Sequence, residues 1–361
     1  MHMIPISIPI VPNSPLKSPL QNQPMGNLSL RYCESLDFME NQAFDQNLII
    51  YDDDYQNSQS HSPSFQIHME EVLKILKREF PKGSRLVEVG CGKGEFVELA
   101  IEDGWFNATG YDSVYEGSNP SIAKRYLTEG DRLEAEIVVL RHVLEHIQAP
   151  HRFLALLKTV FGSAHVYIEV PNYDWIVDNR AFYDITYEHV NYFTSSSLLA
   201  LFDTPPKSAG LFFEDQYQFI VGELSSLSLN FERQYESSDW KQLDFYELFP
   251  DLDSTCATIA SMVRDNANLF VWGAATKGCM FLMHSAHHSD LLSKVKFAID
   301  VNPHKCGKFL PGSLIPIKDK GSFFDVAKPN DVLVISNPNY RTEILSELKK
   351  QGLEGLQIVT L

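Results

Sequence analysis

Residues 85–94 read Arg85-Leu86-Val87-Glu88-Val89-Gly90-Cys91-Gly92-Lys93-Gly94. The run 85–89 predicts a strand, and 95–103 predicts a helix. Between them lies a glycine loop. Glycine lets the backbone turn sharply and approach a ligand without a Cβ collision. In open α/β sheets, ligands bind at the carboxyl ends of the strands. The loop is therefore a nucleoside site by position. Its spacing is Gly-x-Gly-x-Gly, not Gly-x-Gly-x-x-Gly. Glu88 precedes it, and a second acid, Asp112, closes the next predicted strand, 108–111. A carboxylate there can accept two hydrogen bonds from ribose hydroxyls.

The pattern continues outward on both sides. Upstream, Ile67, Val72, Ile75, Leu76 and Phe80 predict a helix over 65–80. Downstream come strands at 137–140 and 165–170, a helix at 151–161, and two closing strands within 211–223. The stretch 233–264 is more polar, with helix-like spacing and few turn signals. The alternation then restarts: strand 269–273, helix 278–287, strands 295–300 and 331–336, helix 341–351, strand 357–361. Strands alternating with helices imply a parallel sheet covered on both faces. The expected organisation is an arm or remnant of a small lobe at 1–64, an α/β domain at 65–230, a helical connector at 231–265 and a second α/β domain at 266–361.

Length and charge narrow the function. The chain has 361 residues, enough for two or three domains. Thirty Lys and Arg against 47 Asp and Glu give a net charge of −17. Nucleic acid or an anionic membrane as main partner needs a basic face, so neither is expected. No apolar run approaches the roughly 18 residues of a membrane span. Met1 to Pro19 has no basic n-region and no small-residue cleavage site, a poor signal peptide. The five widely spaced cysteines read as free thiols in a reducing cytoplasm.

The glycine loop with Glu88 and Asp112 resembles the S-adenosylmethionine-dependent methyltransferases. The resemblance implies a Rossmann-like class I methyltransferase core and S-adenosyl-L-methionine as cofactor. By it, Gly90, Cys91, Gly92 and Gly94 pass the methionine and ribose portions and Asp112 binds the ribose. The segment Leu140-Arg141-His142-Val143-Leu144-Glu145-His146-Ile147 is similar to the same family's post-strand motif. It implies that Arg141 and His142 flank the cofactor. Read without the resemblance, two histidines four apart on a helix only cap or pack, and no third zinc ligand is evident.

Residues 169–193 narrow the family. They carry Glu169-Val170-Pro171-Asn172, then Thr186-Tyr187-Glu188-His189-Val190-Asn191-Tyr192-Phe193. This resembles the sugar C-methyltransferases, which methylate a carbon of a nucleotide-linked 4-keto-deoxysugar. Gly273-Ala274-Ala275-Thr276-Lys277-Gly278 and Asp300-Val301-Asn302-Pro303-His304-Lys305-Cys306-Gly307-Lys308 resemble that family's second, C-terminal Rossmann-like α/β domain. Two departures stand out. The family opens with a zinc lobe holding two Cys-x-x-Cys pairs; here only Cys33 remains, with Leu36 in its partner's place. A tetrahedral structural zinc needs four ligands, so no metal is expected. Tyr187 stands where many members have His, and the family's preceding Tyr falls on Thr186.

Carbon methylation requires an enolate, and His is the usual base near neutral pH. His189 is the expected base, with Glu188 orienting it or binding a sugar hydroxyl. His146 is a second candidate acid or base, and Tyr187 a candidate to steady the enolate oxygen. The polar stretch 51–62 is either a lid, with Tyr55 on the cofactor, or a solvated loop. The Gly273–Gly278 turn is no P-loop; packing explains it better than a diphosphate. The expected partner is a small molecule such as a nucleotide-linked sugar; oligomeric state is open. The competing readings are an O- or N-methyltransferase on another metabolite, an NAD-type oxidoreductase, and a non-catalytic adenosylmethionine-binding module.

Overall fold

The computed structural model describes residues 6–51, 54–59, 61–237, 239–264, 266–286 and 290–361. Asp52, Asp53 and Ser60 of the 51–62 stretch, and His287 at the expected end of helix 278–287, lie outside the described residues.

Arg85–Val89 and Ile137–Arg141 form the centre of a seven-stranded sheet. Its order is Ser208–Phe212, Tyr217–Glu223, His165–Pro171, Ile137–Arg141, Arg85–Val89, Asn107–Tyr111, Ile122–Ala123. The five strands from His165–Pro171 onward are parallel, and the two closing strands are antiparallel. Ile137, Val138, Val139 and Leu140 are all fully buried. A near-continuous apolar run is what a strand covered on both faces requires. A second sheet is parallel throughout: Ile317–Lys318, Val295–Ile299, Leu269–Trp272, Val332–Ile335, Gln357–Thr360. Both Rossmann-like α/β units are thus present.

Four segments differ from expectation. Ile6–Pro9 and Met25–Leu28 pair as a hairpin, where no strand was expected. Ile8 and Ile10 are buried, and Leu16 bridges to Phe309 of the second α/β unit. These strands are only four residues long and their partners are remote in sequence, so periodicity could not expose them. Leu30–Cys33 and Phe38–Asn41 join Asn191–Phe193 and Lys241–Gln242 in a four-stranded sheet. The turn after Cys33 is filled by apolar packing, with Leu36 and Phe38 buried beside it. The connector is not continuous helix: Leu229–Ser237, Phe245–Leu248 and Leu252–Met262 are separated by Lys241–Gln242 and loops.

The fourth difference is the post-strand motif. His142 has φ 53°, left-handed, and Leu144–His146 is a single 3₁₀ turn. His142 and His146 therefore do not share a helix face. The chain must turn sharply here because Val143 packs directly against Gly90, where a Cβ would come within 2.6 Å of its methyl.

One apolar cluster runs through Ile8, Met39, Tyr187, Phe245, Val271 and Met280. The N-terminal strands, the 173–192 segment, the connector and the second sheet thus share a core. All five cysteines are free. Among the described residues, no helix is long and apolar enough to cross a membrane.

Candidate active site

The carboxyl ends of both sheets face one cavity of about 300 Å³. Glu88, Gly90, Cys91 and Gly92 line it from the first unit, and Gly273, Thr276, Lys277, Asp300, Asn302 and Lys305 from the second. The sequence quoted both sets; their meeting in one space follows from the shared core.

Gly90, Gly92 and Gly94 all have positive φ, 75°, 55° and 84°. A Cβ at Gly92 would meet only the Asn57 side chain, at 3.7 Å, and would otherwise extend into open space. Behind the loop, Asp112 accepts hydrogen bonds from the N–H groups of Gly92 and Val114, each 2.8 Å. Asp112 braces the loop and is not on the cavity wall. The Glu88 carboxyl is buried, which pushes it up to about 7 against the opposing charge of Arg141. Glu88 Oε2 and Arg141 Nη2 have no hydrogen-bond partner among the described residues.

Beneath Arg141 lies a buried network. His68 Nε2 donates to Glu169 Oε1 at 2.8 Å, and the Tyr167 hydroxyl donates to Glu169 Oε2 at 2.7 Å. His142 reaches Glu169 at 3.1 Å and Glu145 at 3.3 Å. Burial works against a charge on His142, but these two carboxylates outweigh it and lift it to about 9. Burial alone would raise Glu169; His68, Arg141 and His142 hold it well below the usual carboxylate range.

The wall of the cavity around Glu188 and His189 is built by lacing two segments together. The Tyr192 hydroxyl accepts from Thr186 N–H and donates to Thr186 C=O, both 3.0 Å, clasping the loop between them. Asn191 Nδ2 donates to the carbonyls of Leu144 and Ile147 at 2.8 and 2.7 Å. Val190 N–H donates to Glu145 C=O at 2.8 Å, and His146 Nδ1–H to Glu188 C=O at 2.9 Å. His146 and His189 then stand ring to ring, centroids 4.8 Å apart. Burial, with the nearby Glu145 charge, pushes Glu188 up to about 8. Burial and the neighbouring His146, His142 and Lys277 push His189 well below its ordinary value. Burial lowers His146 as well.

One expectation is corrected. Tyr187 does not face the cavity. It is fully buried, accepts from Asp45 N–H at 2.9 Å and donates to Ala43 C=O at 3.2 Å. Its ring lies where a Cβ at Gly26 would clash, so it is a pin between the loop and the N-terminal strands. Tyr55 lines the cavity with the glycine loop, and its hydroxyl points to Glu188 Oε2 at 3.5 Å; the Tyr51 ring packs tilted against it, 4.5 Å between centroids, with its hydroxyl 3.5 Å from His146 Nδ1. Sequence reasoning missed Asn13, whose amide donates to Thr276 Oγ1 at 2.7 Å. An Asn in a turn-rich arm carries no signal for that. Ligand atoms of Glu145, His146 and His189 lie within 4.8 Å of one another, as do those of His68, His142 and Glu169.

Residues 65–204 match the model of a methyltransferase domain, and residues 236–361 match that of a C-methyltransferase C-terminal domain. The chain is a methyltransferase. Solved structures similar to this methyltransferase include an S-adenosylmethionine-dependent methyltransferase from Mesorhizobium loti. It is 13% identical over 42% of this chain and 96% of that one, with a TM-score of 0.30. A SAM-dependent methyltransferase from Aquifex aeolicus is 15% identical over 46% and 94%, TM-score 0.34. Magnesium protoporphyrin IX methyltransferase from Synechocystis PCC 6803 with bound SAM is 13% identical over 44% and 78%, TM-score 0.32. No curated protein matches the methyltransferase.

Proposed function

We propose that the methyltransferase methylates a carbon of a keto-sugar by base-assisted enolate formation. The observation that carries this is Glu188 beside His189, two adjacent cavity residues whose proton affinities are displaced in opposite senses. Such a pair separates into an acid and a base at one pH.

In this reading the neutral imidazole of His189 takes the proton from the carbon beside the ketone. The Glu188 carboxyl, still protonated below about pH 8, donates a hydrogen bond to the developing enolate oxygen. Tyr55 holds that carboxyl, and His146 holds the Glu188 backbone. The cofactor's residues fit as well. Glu88 Oε2 and Arg141 Nη2, neither with a hydrogen-bond partner among the described residues, suit the ammonium and carboxylate of its methionine part. Gly92 leaves the space that a side chain would fill. When bound, S-adenosylmethionine supplies an electrophilic methyl group. Asp112 keeps the loop in place, and positioning of the two reactants supplies most of the rate.

A nucleotide on the sugar would extend along the second unit's wall, where Asn302 offers a buried Nδ2 with no hydrogen-bond partner among the described residues, beside Lys305. The test is transfer of a ¹³C-labelled methyl to a panel of 4-keto-deoxysugars, free and nucleotide-linked, with NMR of the product. A carbon-bound methyl supports the proposal. An oxygen- or nitrogen-bound methyl replaces it with the O- or N-methyltransferase reading.

A further inference from the structure

Away from the cavity, the helices Pro150–Phe161 and Leu229–Ser237 bring together His151, Glu232 and Glu236. Their ligand atoms lie within 4.8 Å of one another. Glu232 and Glu236 are one helical turn apart and share a face. Two acids on a helix face are ordinary. His151 is not. It is only 9% exposed, and neither Nδ1 nor Nε2 has a hydrogen-bond partner among the described residues. An imidazole carries donor and acceptor capacity on its two nitrogens, and burying both unmet is costly without a ligand. A separate cavity of about 110 Å³ adjoins it, lined by both His151 and Glu232. Its volume leaves room for water beside an ion.

We propose that His151, Glu232 and Glu236 form a site for one divalent transition-metal ion, zinc in the first instance. One imidazole nitrogen and two carboxylate oxygens are a suitable donor set, with a cavity water as fourth ligand. Ligand bonds of roughly 2.0–2.2 Å draw the donor atoms closer than they now stand. Glu236 is exposed and can swing in by leaving Arg152, its present partner at 2.8 Å. The ion clamps the connector's first helix onto the methyltransferase core. That helix also carries Tyr235, whose ring lies 4.9 Å from His151 and whose hydroxyl donates to Glu40 at 2.6 Å. The clamp therefore fixes the hairpin that holds Glu40. None of the three residues lines the cavity where methyl transfer is placed.

The test titrates zinc into metal-stripped full-length protein against a chromophoric chelator, with thermal unfolding alongside. The expected result is one equivalent bound by the wild type. His151→Gln and Glu232→Gln each weaken binding beyond the roughly 10–100-fold that even an outer-shell partner costs. Zinc raises the wild-type Tm and not that of the variants, and methyl transfer is unchanged. Glu232 is partly exposed, so its Gln variant keeps the fold even where His151→Gln does not. Zinc too weakly held to compete with the chelator overturns the proposal. So does zinc that survives both variants, or that is lost only in His146→Gln, which places the ion in the methyl-transfer cavity.

Discussion

At the residue scale, function turns on which groups are charged at neutral pH. Burial pushes Glu188 up to about 8, and burial with the neighbouring His146 pushes His189 well below its ordinary value. If Glu188 acts as the acid, kcat/KM is flat near neutral pH and falls as pH rises through about 8, when the carboxyl loses its proton. Glu188→Gln keeps an N–H donor and does not titrate, so its alkaline limb disappears although its rate is lower. A pH–rate profile of both proteins checks this. A second prediction concerns the clasp. Asn191→Ala leaves the Leu144 and Ile147 carbonyls short of a buried donor, at about 1–3 kcal/mol. Denaturant unfolding should register that loss, with turnover falling further because His189 is no longer held against His146. The place of the Glu188-His189 dipeptide in the cavity wall was legible because of where it falls in the order of strands. Tyr187, beside it, was not. A tyrosine hydroxyl facing substrate and one tying down a neighbouring loop look the same in sequence; only the carbonyl of Ala43 and the N–H of Asp45 tell them apart.

At the scale of elements, the core strands were readable because burial on both faces demands unbroken apolar runs, as in Ile137–Arg141. The segment after it misled. Its residues favour a helix, yet His142 takes φ 53° because Val143 must close over Gly90. Tertiary packing overrode local preference. The glycine loop yields a prediction that separates its two tasks. Gly90→Ala drives a Cβ to within 2.6 Å of Val143, at a positive φ, and should destabilise the fold. Gly92→Ala is strained by its φ of 55° but meets nothing closer than Asn57 at 3.7 Å and projects its methyl into the cavity, so it should cost less stability than Gly90→Ala while weakening S-adenosylmethionine binding. Calorimetric titration with S-adenosylhomocysteine, set against thermal unfolding, distinguishes the two.

At the scale of the whole molecule, two α/β units were visible in the sequence but their union was not. Their shared core is built from short N-terminal strands, the 173–192 segment and the connector, none of which has a strong period. Side chains also tie the units together: Glu343 accepts from Ser62 and Ser64 at 2.8 and 3.1 Å, and Asp54 pairs with Lys17 and Lys308 at 2.6 and 3.0 Å. A core held in common predicts one cooperative thermal transition, not two. Scanning calorimetry showing two well-separated transitions would contradict it. The same union sets the cavity between the glycine loop and the second sheet, with Glu188 and His189 in its wall.

The central claim is that His189 removes a carbon-bound proton. It is tested most directly by solvent deuterium exchange into a 4-keto-deoxysugar, with S-adenosylhomocysteine in place of the methyl donor. The account predicts exchange beside the ketone with the wild type, and a loss of about 10²–10⁴-fold in His189→Gln with cofactor affinity retained. Exchange that persists within a few-fold in His189→Gln, while His146→Gln abolishes it, would contradict the assignment of the base. Persistence in both variants would contradict carbon-acid chemistry at this site.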